Sequence, residues 1–330
     1  MNRAIVLLSG GLDSCLAVRV LQEQGIEVVA VNFQTPFCQD GGDGASCGSA
    51  TKVADALGLP LRVLHLGRDF LDIVEHPPHG WGKNMNPCID CRILMLRRAK
   101  ALMEAVDAKF IATGEVLGQR PMSQHLRSLQ EVEKESGLMG LILRPLSAQL
   151  LDPTIPEKEG WVDREKLKSI SGRTRKEQFR MATEMRLSYR PSPAAGCLLT
   201  DPSYSKRLRD FLKHGEKLTA HAATLLRYGR YFRLSDSSIL MVGRDKSEND
   251  QLEGLQEGDE TIWRQVNCMG PVAVGRGEYS GATMEQALSI IVRYTDRPAD
   301  GVVTLETRRG RAGEPARIDV GAPAVGAVPA

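Results

Sequence analysis

The chain has 330 residues, with 43 Lys+Arg against 41 Asp+Glu and a formal charge of +2, long enough for about two domains that fold without metal or disulfide staples. That balance excludes a wholesale basic coat and an acidic disordered chain, while leaving local patches open. No apolar run approaches the roughly 18 residues of a membrane span, the N-terminus lacks the apolar core and cleavage site of a signal peptide, and cysteines scattered from Cys15 to Cys268 do not read as a secreted disulfide framework. A cytoplasmic protein without membrane contact is expected.

Apolar runs predict strands at Ala4–Leu8, Glu27–Phe33, Leu61–Leu66 and Lys109–Thr113, and helical patterns follow at Asp13–Gln24, Cys47–Leu57 and Ile89–Ala105. Strands that are apolar along their length belong to a sheet covered on both faces, so residues 1–150 are expected to form a doubly wound parallel α/β domain. Ligands in such sheets sit beyond the carboxyl ends of the strands. The loops Ser9–Ser14, Asn32–Gly48 and Thr113–Gln124 are therefore expected to converge.

Beyond a two-proline connector at 150–157, Asp163 is expected to cap a helix over Arg164–Ile170, and Thr174 another to about Arg186. Residues 164–190 hold nine Lys/Arg and three Asp/Glu, and residues 203–235 eight and two. Residues 151–228 thus read as a basic helical region carrying Cys197, with solvated helix faces as the bland alternative. Residues 229–307 read as a smaller α+β domain. It would hold a hairpin at Tyr231–Leu234 and Ser238–Val242, helices at Ser247–Leu255 and Met284–Tyr294, and a strand at Pro271–Gly275. The Gly/Pro/Ala/Arg-rich stretch 308–330 is expected to be disordered.

Chemistry concentrates in three strings. Ser9-Gly10-Gly11-Leu12-Asp13-Ser14 lies directly between a strand and a helix, where two glycines let successive N–H groups point at one anion and the helix N-terminus adds donors. No Gly-Lys-Ser/Thr follows, so this is not a Walker loop. Asn86-Pro87-Cys88-Ile89-Asp90-Cys91 opens a helix whose N-terminus is expected to lower both thiol pKa values. Cys197 follows a glycine in a turn able to return it over the sheet. In Thr113-Gly114-Glu115, Gly114 ends a strand where a backbone passes close to something, which fits an ATP ribose–phosphate.

Three readings of the cysteines stay open. Cys88, Cys91 and Cys197 would hold an iron–sulfur cluster with one open iron. Alternatively, Cys88 and Cys197 act as nucleophile and persulfide carrier, or zinc is bound by Cys88 and Cys91 with His76 and His79. Cys38 and Cys47 flank a Gly/Asp-rich loop and read as ordinary thiols or extra ligands.

The Ser9–Ser14 string resembles the pyrophosphate loop of the PP-loop ATPases, which cleave ATP between its α and β phosphates. The Asn-Pro-Cys loop resembles that of the tRNA 2-thiouridine synthases. Thr113–Gln119 looks closer to the catalytic domain of the ThiI-type 4-thiouridine synthetases. The similarity covers roughly residues 1–200 and implies an adenine nucleotide alpha hydrolase-like fold. It further implies a transferase that adenylates a tRNA uridine oxygen and replaces it with sulfur, 4-thiouridine being favoured over 2-thiouridine. ATP contacts then fall to Ser9, Gly10, Gly11, Asp13, Ser14, Phe33, Gly114 and Gln119. Asp13, with Mg²⁺, Cys88 and Cys197 would be catalytic, and Cys88, Cys91 and Cys197 would hold a [4Fe–4S] cluster.

Met241-Val-Gly-Arg-Asp-Lys-Ser-Glu-Asn-Asp250 is similar to the signature of the NFACT-type RNA-binding domain, although Trp263 precedes Arg264-Gln265 where that family has a histidine. Arg207, Arg209, Lys213 and Arg244 are the expected RNA contacts. A dimerisation or packing role for this module is the alternative, and would make the chain a homodimer. The sequence starts at the ATP strand, without the N-terminal RNA-binding extension of those synthetases and with no rhodanese domain evident. RNA recognition and sulfur supply, from sulfide or a desulfurase-derived persulfide, are expected from elsewhere. Two other classes remain: a PP-loop ligase or amide/nitrile former on a small molecule, and a non-catalytic RNA-binding protein.

Overall fold

The computed structural model describes residues 2–38, 46–187, 196–296 and 298–321. The chain divides into two compact units, Met1–Pro202 and Ser203–Ala330. Among the described residues no helix is long and apolar enough to cross a membrane.

The first unit alternates strand and helix: β1 (Arg3–Leu7), α1 (Leu12–Gln22), β2 (Glu27–Gln34), α2 (Ser46–Ala56), β3 (Leu61–His65), α3 (Arg68–Glu75), α4 (Cys88–Met103), β4 (Phe110–Thr113), α5 (Leu126–Ser136), β5 (Ile142–Leu143), α6 (Ile155–Lys158) and α7 (Lys176–Glu184). The sheet order is β3-β2-β1-β4-β5 and every pairing is parallel. Both faces of the central strands are buried. Ala4, Val6, Phe110 and Ala112 join α1 and α7 in one apolar cluster, while Ile5 and Ile111 on the opposite face are equally inaccessible. The winding reverses between β1 and β4, and the loops after these two strands meet at that switch point.

The unit extends beyond the expected boundary at 150. Val162, Leu167, Ile170 and Met181 belong to the same cluster as β1 and α1, so 151–187 completes the α/β domain. The predicted helix over Arg164–Ile170 is a single 3-10 turn, Arg164–Lys166, with Asp163 accepting from the Glu165 N–H at 3.0 Å. It stops because Lys168 and Ile170 donate instead to Pro145 and Leu146, at 2.9 and 2.8 Å. Such long-range bonds replace the helical ladder.

The second unit contains α8 (Pro202–Lys213, which begins at the unit boundary), α9 (Ala220–Leu225), β6 (Arg230–Ser235), β7 (Ser238–Val242), α10 (Lys246–Leu255), β8 (Thr261–Gln265), β9 (Ala273–Arg276), α11 (Gly281–Arg293), β10 (Val303–Arg309) and β11 (Ala316–Val320). Its antiparallel sheet runs β11-β10-β8-β9-β7-β6. Trp263, Leu240, Ile291, Val303 and Leu305 form its core. The expectation of disorder from 308 onward is corrected by β10 and β11. The alternating Val303 and Leu305 anchor β10 in the core, and β11 pairs along it. Composition misled because two buried apolar residues suffice to fix a strand that already has a partner. Residues 322–330 lie outside the described residues.

Candidate active site

The pyrophosphate-type loop leaves β1 and enters α1 without a side-chain cap at Gly11. The uncapped first turn thus presents N–H groups and the positive end of the helix dipole. Gly10 has φ +76°, and a Cβ there would fall 2.4 Å from Ser49 Oγ and 2.8 Å from the Ala50 nitrogen. The loop therefore folds tightly against α2. Ser14 Oγ donates to the Gly11 carbonyl at 2.9 Å and lies 3.2 Å from Ser9 Oγ, so both hydroxyls gather at one point.

Asp13 projects from the first turn of α1. Its Oδ2 accepts from Gln119 Nε2 at 2.7 Å and lies 3.8 Å from an Arg175 nitrogen. The buried Oδ1 has no hydrogen-bond partner. Gln119 is itself held by Gln178, a fully buried residue of α7 whose Nε2 donates to Gln119 Oε1 at 2.9 Å. A buried carboxylate oxygen left without a donor suits a divalent cation such as Mg²⁺.

The third string joins the other two. A Cβ on Gly114 would fall 2.5 Å from the Ser14 nitrogen and 2.6 Å from the Asp13 carbonyl carbon. What passes close to Gly114 is thus the backbone of the pyrophosphate-type loop itself. Next to it, the buried Glu115 lies 3.1 Å from Arg92 Nε of α4 and 3.3 Å from Arg144 Nε. Burial alone would raise the Glu115 carboxyl; Arg92 and Arg144 outweigh it and hold the group below the usual carboxylate range. Sequence reasoning passed over Glu115. Its signal was an acid placed at a strand end with an arginine directly after the C-x2-C pair.

Cys88, Cys91 and Cys197 line one cavity of about 290 Å³ together with Ser9, Gly11, Asp13, Ser14, Phe33 and Gly114. Gly10 and Gln119, also expected to contact ATP, are not among its lining residues: Gly10 packs against Ser49 and Ala50, and Gln119 bridges Asp13 and Gln178. Cys197 is carried there by a short 3-10 turn, Leu198–Thr200, tied on two sides. The Met85 N–H donates to Leu199 O at 3.1 Å, and the Leu198 N–H to Phe37 O at 2.9 Å. The thiols are not lowered as the helix-terminus argument expects. Burial raises Cys88 and Cys91 despite Arg92, and pushes Cys197 up to about 12. Metal binding takes thiols as thiolates and releases their protons. Three cysteines converging on one cavity are a donor set that fits an iron–sulfur cluster.

It does not fit the zinc alternative. His79 turns its ring away, with Nδ1 2.7 Å from Asp90 and Nε2 3.0 Å from Glu135. Among the described residues the one group of three ligand atoms within 4.8 Å is His79, Glu131 and Glu135, without a thiol.

The expected RNA contacts separate. Arg209 and Lys213 are exposed on one face of α8 with Lys206. Arg207 is spent on the Leu226 carbonyl at 3.0 Å, and Arg244 on Glu248, to which its Nε donates at 2.9 Å.

Residues 1–150 match the family described as "Thiamine biosynthesis protein (ThiI)". Over those residues the first unit is similar to that family, and its all-parallel five-stranded sheet resembles a PP-loop domain. Residues 229–324 match "NFACT protein RNA binding domain". A tRNA-specific 2-thiouridylase MnmA of Trichlorobacter lovleyi is 29% identical over 163 residues, which cover 47% of this chain and 45% of that relative. The chain thus spans less than half of that relative's length. An MnmA 2 of Thermoanaerobacter sp. strain X514 is 25% identical over 92% of the chain and 87% of its own length. Among solved structures, the U34-tRNA thiolase NcsA from Methanococcus maripaludis with its [4Fe–4S] cluster aligns over 70% of this chain and 75% of its own, with a TM-score of 0.33 and 18% identity.

Proposed function

We propose that the chain is an ATP-dependent tRNA sulfurtransferase that adenylates a uridine carbonyl oxygen and replaces it with sulfur, forming 4-thiouridine. The observation that carries this reading is the convergence of an anion-binding loop and three cysteines on one cavity. A ligase needs the loop but not the thiols, and a passive RNA-binding protein needs neither.

A uracil carbonyl oxygen is a poor leaving group, and attack by that oxygen on the α-phosphate of ATP makes it part of AMP. The Ser9 and Ser14 hydroxyls and the first-turn N–H groups of α1 would hold the departing pyrophosphate. Asp13, positioned by Gln119, would hold Mg²⁺ through its free oxygen, and the ion would offset charge developing on the phosphates. Cys88, Cys91 and Cys197 would hold the cluster, which when bound supplies a site for a sulfur nucleophile. A hydrosulfide-level nucleophile would attack the activated ring carbon, the C–O bond would break, AMP would leave with the oxygen, and the sulfur's proton would pass to solvent. Arg92, fixed by Glu115, and Arg120 bring positive charge to the cysteine end of the cavity. The exposed lysines and arginine of α8 and the NFACT-like unit would supply tRNA contacts.

Mass spectrometry of tRNA nucleosides from cells with and without this gene tests the reading. A thiouridine should vanish on deletion and return with the wild-type gene. Unchanged nucleosides would overturn it.

A further inference from the structure

Cys38 has no role in the scheme above, yet it lines the same cavity as Cys88, Cys91 and Cys197. It closes the turn that follows β2, where its N–H donates to the Thr35 carbonyl at 3.2 Å. Its sulfur accepts from the Thr35 N–H at 3.4 Å and lies 3.6 Å from Thr35 Oγ1. The turn is anchored. Phe37 is fully buried, its ring edge-on to Phe70 with centroids 5.9 Å apart. Cys38 also forms an isolated antiparallel bridge with Cys197. The same fold that delivers Cys197 thus delivers a fourth thiol beside it.

The spacing of these thiols bears on what they hold. A single tetrahedral zinc with bonds of about 2.3 Å draws its sulfurs to roughly 3.8 Å from one another. No three of these thiols lie within 4.8 Å of one another. Four cysteines spread around one cavity match instead a four-iron cluster, which takes one thiolate per iron.

We propose that Cys38 is the fourth cluster ligand, capping in the resting state the iron that Cys88, Cys91 and Cys197 leave open, and giving way to the incoming sulfur nucleophile. This rests on the cluster reading above. The step is ligand exchange without electron transfer. Hydrosulfide forms the new iron–sulfur bond with its own electron pair, the iron–Cys38 bond breaks, and Cys38 leaves as a thiolate that takes one proton from solvent. The two Thr35 donors distinguish Cys38 as the ligand built to leave, because they stabilise the sulfur once its metal bond is gone.

The test compares anaerobically reconstituted full-length wild type, Cys38→Ala and Cys38→Ser, using ⁵⁷Fe Mössbauer spectra and titration with sodium sulfide followed by the EPR signal of the reduced cluster. Wild type should show four like, thiolate-ligated irons. Cys38→Ala should keep the cluster with one distinct iron and respond to roughly tenfold less sulfide. Cys38→Ser, with an oxygen ligand in place of sulfur, should show one altered iron as well. Should the alanine variant fail to fold, the serine variant decides alone. A distinct iron already present in wild type, unchanged in both variants, overturns the role of Cys38 and leaves the three-cysteine cluster standing. Wild type that takes up no iron overturns the cluster reading itself.

Discussion

Gln119 donates to one oxygen of Asp13 at 2.7 Å and leaves the other buried and without a partner. The amide fixes the carboxylate's rotation while keeping one oxygen for a cation. Asp13→Ala should lower ATP–pyrophosphate exchange by at least about 100-fold, with unchanged circular dichroism. Gln119→Leu should cost about tenfold and raise the Mg²⁺ concentration needed for half-maximal exchange, because it acts through Asp13. A Gln119 variant with unaltered Mg²⁺ dependence would remove it from this role.

Gly114→Ala should be severe for its size. The added methyl would meet the backbone at Ser14 and Asp13, which have no flexible end to yield. Overpacking of this kind costs about 1–3 kcal/mol. Here it also displaces the loop, so ATP affinity should fall together with the melting temperature. Loss of stability with normal ATP binding would show that the loop tolerates the shift.

Anaerobically purified protein should be brown. Cys88→Ala, Cys91→Ala and Cys197→Ala should each lose most iron and acid-labile sulfide. Iron-free yet fully active wild type would transfer the sulfur step to a persulfide on Cys197 or Cys88.

Neutralising Lys206, Arg209 and Lys213 together should weaken tRNA binding and reduce the slope of log K against log salt by up to about one unit per lost phosphate contact. Arg207→Gln should chiefly destabilise the second unit, since its guanidinium meets the α9 terminus at Leu226. An unchanged slope in the triple variant would leave these side chains as solvated helix face.

His221 gives the second unit a pH dependence. Its Nε2 lies 2.8 Å from buried Glu260 and its Nδ1 3.0 Å from Glu257. The Glu260 hydrogen bond raises the imidazole above its ordinary value, burial opposes, and the charges of Glu260 and Glu257 add to the rise. The proton is held more tightly in the folded state, so its stabilisation is complete below about pH 6.5 and is lost as pH rises through the folded pKa. The gap in melting temperature between wild type and His221→Gln should therefore be widest in mild acid and narrow toward alkaline pH. A gap that widens with pH would contradict this sign.

The sheet and its loop order were legible because strand-length apolar runs and the glycine string are local signals, and the crossover rule then brings the loops to one edge. Long-range partnerships were not. Nothing near Cys38 announces Cys197, nor does Glu115 announce Arg144 at a separation of 29 residues. Charge counting was the weakest guide. Of the basic excess in 164–186, Arg164, Lys166 and Arg180 pair with Glu157, Asp163, and Glu177 and Glu184 respectively. Neutralisation by neighbours is invisible to a sum. The hairpin at 303–320 was hidden by composition for a related reason, since its partner strand β8 lies some forty residues earlier.

That hairpin also orders events at the ribosome. The first unit closes its sheet once β5 at Ile142–Leu143 has emerged, whereas β8 waits for β10 to cover its free edge and to supply Val303 and Leu305 to the core. Chains elongate at roughly 5–20 residues per second. A nascent second unit therefore spends seconds with Trp263 unsealed and one strand edge unpaired, while the sheet of the first unit is already complete. Translational pausing just before β10 would lengthen that exposure, and a stop codon there would make it permanent.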